Sequence, residues 1–390
     1  MKGLLKARMR KPSLSYLLSV AFAALFLVLG NRVAAGQNIF DPLEGELVRA
    51  RALEVVRVEE SEYSLGGENE DLTMTTVTFD AKALSGAQKG KTLRCRQELD
   101  SIYGLALPRV KAGDTVLLDL QKIGDGAPGY VLVDFVRTAP LLWLGALFSA
   151  LVILLGRKKG ANTLLSFAFS ILAIFLVLVP ALLTGRDIYL WSLLICVYIV
   201  TTNLLIVQGP SPKSLAAALG CLGGVLCSGL IILLVNRPMH ITGLMDEEAI
   251  YLKAMGIDIK ATVFCMIMIG SVGGLMDVAM DIAAALSELQ ESNPAVSARE
   301  LIRSGLHIGQ DLIGTMANTL VLAYIGESMG FLLVMIRYSA NAAHMVNREI
   351  IAVAILQCLA GCLSVLAVVP LTSFFCSAFY TGKIKTEVYE

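Results

Sequence analysis

The chain is poor in charge: only 16% of its 390 residues are Asp, Glu, Lys or Arg, whereas soluble domains carry about 25%. It is 56% hydrophobic, with a mean hydropathy of +0.71. We therefore expect most of the chain to meet lipid. The 32 basic and 32 acidic residues cancel, so net charge gives no indication of a nucleic-acid partner.

Cysteine is nearly missing from the polar part of the sequence. Of eight cysteines only Cys95 lies there, which excludes a disulfide framework in that part. The others occupy apolar runs, where free Cys behaves as a small hydrophobe, so we expect packing roles and no cofactor. They are Cys196, Cys221, Cys227, Cys265, Cys358, Cys362 and Cys376.

A basic N-terminus precedes the first apolar run. Residues 2–11 carry five basic side chains and residues 14–30 are apolar, so the positive-inside rule predicts a cytoplasmic N-terminus and an anchor helix within residues 1–35. A cleaved signal peptide is the alternative, because Val33, Ala34 and Ala35 offer small residues at a cleavage site. The next segment lies outside the membrane in both cases.

Residues 36–137 differ from the rest of the chain. Polar and apolar residues alternate at 74–79 and 115–120, and glycine turns occur at 66–67, 113–114 and 124–126. This pattern predicts one small all-β extracytoplasmic domain, a barrel or a sandwich. It contains no His and its acids are scattered, so we interpret it as a structural or recognition module.

Seven further apolar runs follow, which predicts about eight transmembrane helices in total. The bundle should occupy residues 138–380, with a cytoplasmic tail at 381–390. The apolar run at 331–336 is too short to span, so we expect a re-entrant or interfacial helix within 328–349. The predicted spans are 139–155, 161–183, 188–207, 215–235, 261–286, 306–326 and 350–379.

Two carboxylates interrupt the run at 261–286. Asp277 and Asp281 are four residues apart, so both side chains share one helix face. Gly270, Gly273 and Gly274 precede them, which predicts close approach of a neighbouring helix or flexion of this one. Such a helix is suited to burial in protein rather than in lipid.

The next span carries a polar stripe of His307, Asp311, Thr315 and Asn318. The short connection at 289–302 predicts antiparallel neighbours whose polar stripes face each other across one interior cleft. A charged Asp at the bilayer centre costs about 2.5 to 3.5 kcal/mol, so the carboxylates need compensation. A proton or cation site is one interpretation, and hydrogen bonding that merely holds the helices together is the other.

Two stretches, GSVGGLMDVAMDIAAALSEL at 270–289 and ELIRSGLHIGQDLIGTMANTLVLAYIG at 300–326, resemble the bacterial YibE/F family of multi-pass membrane proteins. The resemblance implies a bacterial cytoplasmic membrane protein with one anchor helix, a small outer β-domain and a helical bundle. It also singles out Asp277, Asp281, Asp311 and Asn318, and it implies no substrate.

These features favour a transporter in which Asp277, Asp281, Asp311, Thr315 and Asn318 bind a proton or a small cation. The alternative is a non-catalytic scaffold or assembly factor whose β-domain binds an extracytoplasmic protein partner. An enzyme is not expected, because the sequence lacks Ser-His-Asp, HExxH and Walker patterns, and no GxGD motif precedes the acids. No catalytic residue and no particular metal are predicted.

Overall fold

The computed structural model describes residues 14–34, 47–63, 72–100, 108–122, 128–245, 247–339 and 341–381. They fall into two compact units, a barrel unit and a helical unit, that divide between Leu151 and Val152, and the first helix belongs to the helical unit. The basic residues before 14, the glycine turns at 66–67 and 124–126, and the tail after 381 lie outside the described residues.

Five strands form a closed barrel in the order β1-β2-β3-β5-β4, with β4 also paired to β1. All neighbouring strands are antiparallel except β3 and β5, which run parallel. This is a Greek-key barrel of the kind found in OB-folds, and it confirms the predicted small β-domain. The strands are β1 (Val48–Tyr63), β2 (Leu72–Ala83), β3 (Thr92–Asp100), β4 (Thr115–Lys122) and β5 (Pro128–Phe135).

Strand alternation builds the barrel core. Val77 and Phe79 of β2 are buried inside the barrel, whereas Thr76 and Thr78 between them are partly exposed. Cys95 of β3 pairs with Phe79 across the ladder and is fully buried. The polar segment therefore has a hydrophobic core of its own, as its period-2 pattern predicts.

Long apolar helices make up the helical unit, and the first of them after the barrel begins within the barrel unit. Among the described residues, seven helical stretches are long and apolar enough to cross a membrane. The helices are α1 (Leu14–Ala34), α2 (Thr138–Ala173), a π-helical turn (Ile174–Leu178), α3 (Val179–Leu183), α4 (Ile188–Val207), α5 (Pro212–Asn236), α6 (Glu247–Ala254), α7 (Ile259–Ser292), α8 (Ala298–Tyr338), α9 (Ala342–Val346) and α10 (Glu349–Thr381). This confirms a polytopic helical membrane protein.

Two of the predicted spans share one of these seven stretches. The runs 139–155 and 161–183 lie within Thr138–Leu183, which is interrupted by a non-helical backbone at Arg157 (φ 50°, ψ −125°). A Cβ on Gly160 would lie 2.1 Å from the carbonyl oxygen of Val152, so the chain passes close to itself here and tolerates only glycine. The two predicted spans are therefore separated by a sharp break between helical segments.

The expected re-entrant helix at 328–349 is wrong. Helix α8 continues without interruption to Tyr338, and the described residues beyond it contain only the five-residue α9 before α10 begins. At about 1.5 Å per residue, the 41 residues of α8 extend roughly 60 Å, twice the hydrocarbon thickness. The run at 331–336 extends a helix that is already formed, and neither proline nor glycine follows Gly330 within it.

Helix α10 packs against α5, α7 and α8. Glycines of α5 and α8 allow the closest contacts with α10. On α5, a Cβ at Gly220 would lie 2.0 Å from Thr372 Oγ1. On α8, a Cβ at Gly309 would lie 2.1 Å from Val369 Cγ1. Such glycines let helix backbones approach within a membrane, so α5 and α8 both pack closely on α10.

The first helix packs into the helical unit. Tyr198 of α4 donates a hydrogen bond from its hydroxyl to the carbonyl oxygen of Ala23 (3.1 Å) and stacks on Phe26 with ring centroids 4.3 Å apart. Near the start of α1, the Tyr16 hydroxyl donates to Asn162 Oδ1. These contacts fix α1 beside α2 and α4.

Candidate functional site

The predicted acidic pair lies on the open face of α7. Asp258 caps the helix by accepting a hydrogen bond from the Ala261 amide, and the helix runs unbroken to Ser292. One face is buried in the unit, including Leu275 and Ile282. Asp277 and Asp281 project from the other side and are exposed in the single chain. They share a face, as their spacing requires, but that face is not interior.

The three glycines before the pair have different surroundings. A Cβ on Gly270 would lie 3.1 Å from both Tyr324 Oη of α8 and Gln357 Nε2 of α10. A Cβ on Gly274 would lie 3.3 Å from Leu320 Cδ2 of α8, whereas one on Gly273 would meet nothing within 4 Å. Gly270 and Gly274 thus lie at helix contacts, and α7 is continuous through all three.

The polar stripe of α8 is exposed as well. His307, Asp311, Thr315 and Asn318 all lie on the uncovered side of the helix. Gly309 packs on α10, and Asp311 is two residues further along, a rotation of about 200° around the helix. The Thr315 hydroxyl is satisfied within its own helix, since it donates to the Leu312 carbonyl oxygen (3.0 Å).

The two polar stripes do not meet in one closed interior cleft among the described residues. The two helices do run antiparallel, with Gly274 against Leu320 near the middle of α7 and Leu286 against Gly305 nearer its C-terminal end. Their contact uses small and apolar residues, because glycine permits the closest packing. The carboxylates of α7 and Asp311 remain on open faces. Within the described residues, no three His, Cys, Asp or Glu side chains gather to hold a metal.

Sequence reasoning missed two polar arrangements. Tyr324 and Gln357 meet at the bare backbone of Gly270, a junction of three helices that a Gln inside the apolar run of α10 could have indicated. The second involves Glu349, at the start of α10. Its carboxylate accepts hydrogen bonds from the Thr242 amide (2.6 Å), the Thr242 hydroxyl (2.7 Å) and the Gly243 amide (2.5 Å). It ties α10 to the loop after α5.

The long apolar helices define a multi-pass membrane protein. The family model for YibE/F-like protein matches residues 144–382, more than half of the chain, and the protein belongs to that family. The match covers α7, α8 and α10 and with them all the candidate residues. No curated protein and no solved structure matches the chain.

Proposed function

We propose that the protein is a transporter in which Asp277 and Asp281 bind a proton or a small cation. The observation that carries this proposal is the placement of the pair. Both carboxylates stand in an apolar 34-residue helix, yet both are exposed rather than buried in its contacts with the neighbouring helices. A role in holding these helices together would require contact with them.

The cost of the pair supports a role in ion binding. Each ionised Asp in a membrane-spanning helix costs about 2.5 to 3.5 kcal/mol, and residues at i and i+4 have Cβ atoms only about 5–6 Å apart. A proton or cation shared between the two carboxylates relieves both the repulsion and the desolvation. Release of that ion into water from one side and its uptake from the other would be the transport step.

The polar stripe of α8 extends the proposed site. Asp311, Thr315 and Asn318 supply oxygen atoms, which suit protons and hard cations, and they lie on the open face of α8. They belong to the proposed ion path rather than to one cluster with the α7 pair. Gly273, which faces open space, leaves room beside Asp277 for water or an ion.

We also propose where the protein lies and how it acts. The protein would lie in the bacterial cytoplasmic membrane with its N-terminus in the cytoplasm and the barrel outside. It would act without enzymatic chemistry. Lipid, a small ion and an extracytoplasmic partner of the barrel are the proposed interactions.

The test is flux through purified protein in liposomes that contain a pH-sensitive dye, screened with monovalent and divalent cations. Asp277→Asn and Asp281→Asn should each lower flux at least about tenfold, because Asn cannot exchange a proton. The matched control is Glu288→Gln, an exposed carboxylate of α7 beyond the predicted span. Unchanged flux and pH dependence in both Asn variants would overturn the proposal.

One observation favours a scaffold as the second candidate. On the outer surface of the barrel, Arg51 of β1 pairs with Lys82 of β2, and Arg96 of β3 lies two strands away. All three are exposed, and none forms an ion pair with a described residue. This surface fits an acidic protein segment. If so, the triple Gln variant should lose salt-sensitive binding of fluorescent polyglutamate, whereas Lys111→Gln should keep it.

A further inference from the structure

Helix α8 is far less covered than its neighbours. Only 6% of its most apolar window is buried inside the chain, compared with 56% for α7 and 39% for α10. Its contacts with α10 and α7 use one side, through Gly305, Gly309 and Leu320. The opposite side has no neighbour among the described residues.

That open side is polar where the helix should be in the membrane. Thr315 and Asn318 fall in the middle of the predicted span at 306–326, and Asp311 lies about one turn before Thr315 and two before Asn318. Lipid cannot hydrogen-bond an amide or a carboxylate, and polar side chains in membrane helices almost always face protein or a water-filled cavity. The face therefore requires protein or water against it, and none of the described residues covers it.

The chemistry of the face is self-complementary. The imidazole of His307 can donate, the carboxylate of Asp311 accepts, and the amide of Asn318 does both. Copies of one membrane protein insert in the same orientation, so a twofold axis along the membrane normal sets equal depths of α8 side by side. Asn318 would then meet its own counterpart, and His307 would lie within a turn of the partner's Asp311.

Gly314 provides the space for such a contact. It lies on the open side between Asp311 and Asn318, and a Cβ there would meet nothing within 4 Å. A glycine in this position lets a second helix approach closely enough for the polar side chains to bond across the interface. Gly305 and Gly309 serve the same purpose on the opposite side, against α10.

We propose that a second copy of this chain covers the polar face of α8, defined by His307, Asp311, Gly314 and Asn318, to form a twofold dimer in the membrane. The inference deepens the proposed function, on which it rests for the role of Asp311, because the dimer axis would bring two copies of that carboxylate together. Its test measures association and is independent of flux.

The first experiment is oxidative crosslinking of the full chain in native membranes. Gly314→Cys should give a disulfide-linked dimer absent from the unsubstituted chain. Leu230→Cys is the matched control, since Leu230 lies on α5 and is 57% exposed. Equal crosslinking at both positions would indicate random collision and overturn the proposal, as would a crosslink from Gly314→Cys to a different protein.

The second experiment does not depend on Gly314→Cys and therefore applies even if that variant misfolds. The fluorescently labelled chain is diluted with lipid in liposomes, and copies per particle are counted by photobleaching steps. The unsubstituted protein should remain dimeric, whereas Asp311→Leu with Asn318→Leu should weaken association at least about tenfold. A monomer at every dilution would overturn the dimer even if flux were intact, and a dimer without flux would overturn only the proposed transport.

Discussion

The barrel and the helical unit treat polar side chains in opposite ways. In the barrel, strand alternation directs charges outward, and the four ion pairs of the described residues all lie in this unit. In α7 and α8, carboxylates stand in apolar runs with no ion pair among the described residues. The barrel accounts for its own polarity by its fold. The packing of the helices does not explain the carboxylates of α7 and α8, so the open faces of these two helices are the candidate functional sites.

The largest effect is expected from adding a methyl group to a glycine on the covered side of α8, compared with a glycine on its open side. Gly309→Ala places a Cβ 2.1 Å from Val369 and should destabilise the helical unit by about 1 to 3 kcal/mol. Gly326→Ala is the matched control, because a Cβ there meets nothing within 4 Å and Ala favours the helix. Thermal unfolding in detergent checks both. Equal midpoints for the two variants would contradict the packing described for α8.

The Glu349 contact should give the next largest effect. Glu349→Gln replaces one acceptor oxygen by an amide that cannot accept, and so removes a hydrogen bond to the carboxylate at a cost of about 1 kcal/mol. Glu248→Gln, an exposed carboxylate of α6, is the control and should be neutral. The unfolding midpoint in detergent measures both. If Glu349→Gln matched the control, the carboxylate would not hold this loop.

Cys95 should be unreactive in the folded barrel. Burial raises the pKa of its thiol to about 12, with a smaller contribution from the Asp80 carboxylate, so about one thiol in a thousand is ionised at pH 9. An impermeant thiol reagent should label it at least about a hundredfold more slowly than Lys89→Cys on the exposed loop after β2, and unfolding should abolish the difference. Equal labelling in the native protein would contradict the buried position.

Lys89→Cys is accordingly the better probe of topology. If the barrel lies outside the cytoplasmic membrane, this cysteine should react in intact cells. Reaction only after the cells are broken open would place the barrel on the other side. A test that relied on Cys95 would fail for lack of exposure, irrespective of topology.

The smallest effect is expected from the ion pair on the barrel surface. Arg94 donates two hydrogen bonds to the Asp80 carboxylate (2.8 and 3.0 Å) and thereby lowers the pKa of Asp80. A lowered pKa in the folded state adds stability above about pH 4, which is lost as the pH falls through the folded pKa. Arg94→Gln should remove this dependence and, at pH 7, the same small contribution to stability, since exposed pairs contribute little. The rate of Cys95 labelling in denaturant, divided by that of the fully unfolded chain at the same pH, reports barrel unfolding, and an unchanged acid dependence would contradict this assignment.

Much of the fold could be predicted from the sequence. Period-2 alternation identified the barrel segment, and apolar length identified the membrane helices, because both signals are local. The short connection at 289–302 also predicted correctly that α7 and α8 are antiparallel neighbours. The continuity of α8 past Gly326 was missed, because the break expected there rested on span length and not on a helix-breaking residue.

The direction of the polar faces could not be predicted. Helix α8 presents two distinct sides, one with Gly305 and Gly309 and the other with Asp311 and Asn318, and either could have packed inward. The choice depends on α10, some 60 residues later in sequence, whose side chains fit the glycines. Spacing on one helix shows which residues share a face, but not which neighbour that face meets.

The most direct test of the account is whether water reaches the acidic face of α7. Asp281→Cys and Leu230→Cys, both on exposed helix surfaces, would be treated in native membranes with a charged, impermeant thiol reagent, and the labelling of the unsubstituted chain would be subtracted. Transport through this face predicts that Asp281→Cys reacts at least about tenfold faster than Leu230→Cys, because thiolate chemistry requires water. If both remain equally unreactive in membranes and react equally after denaturation, the carboxylate face is sealed from water and cannot carry an ion.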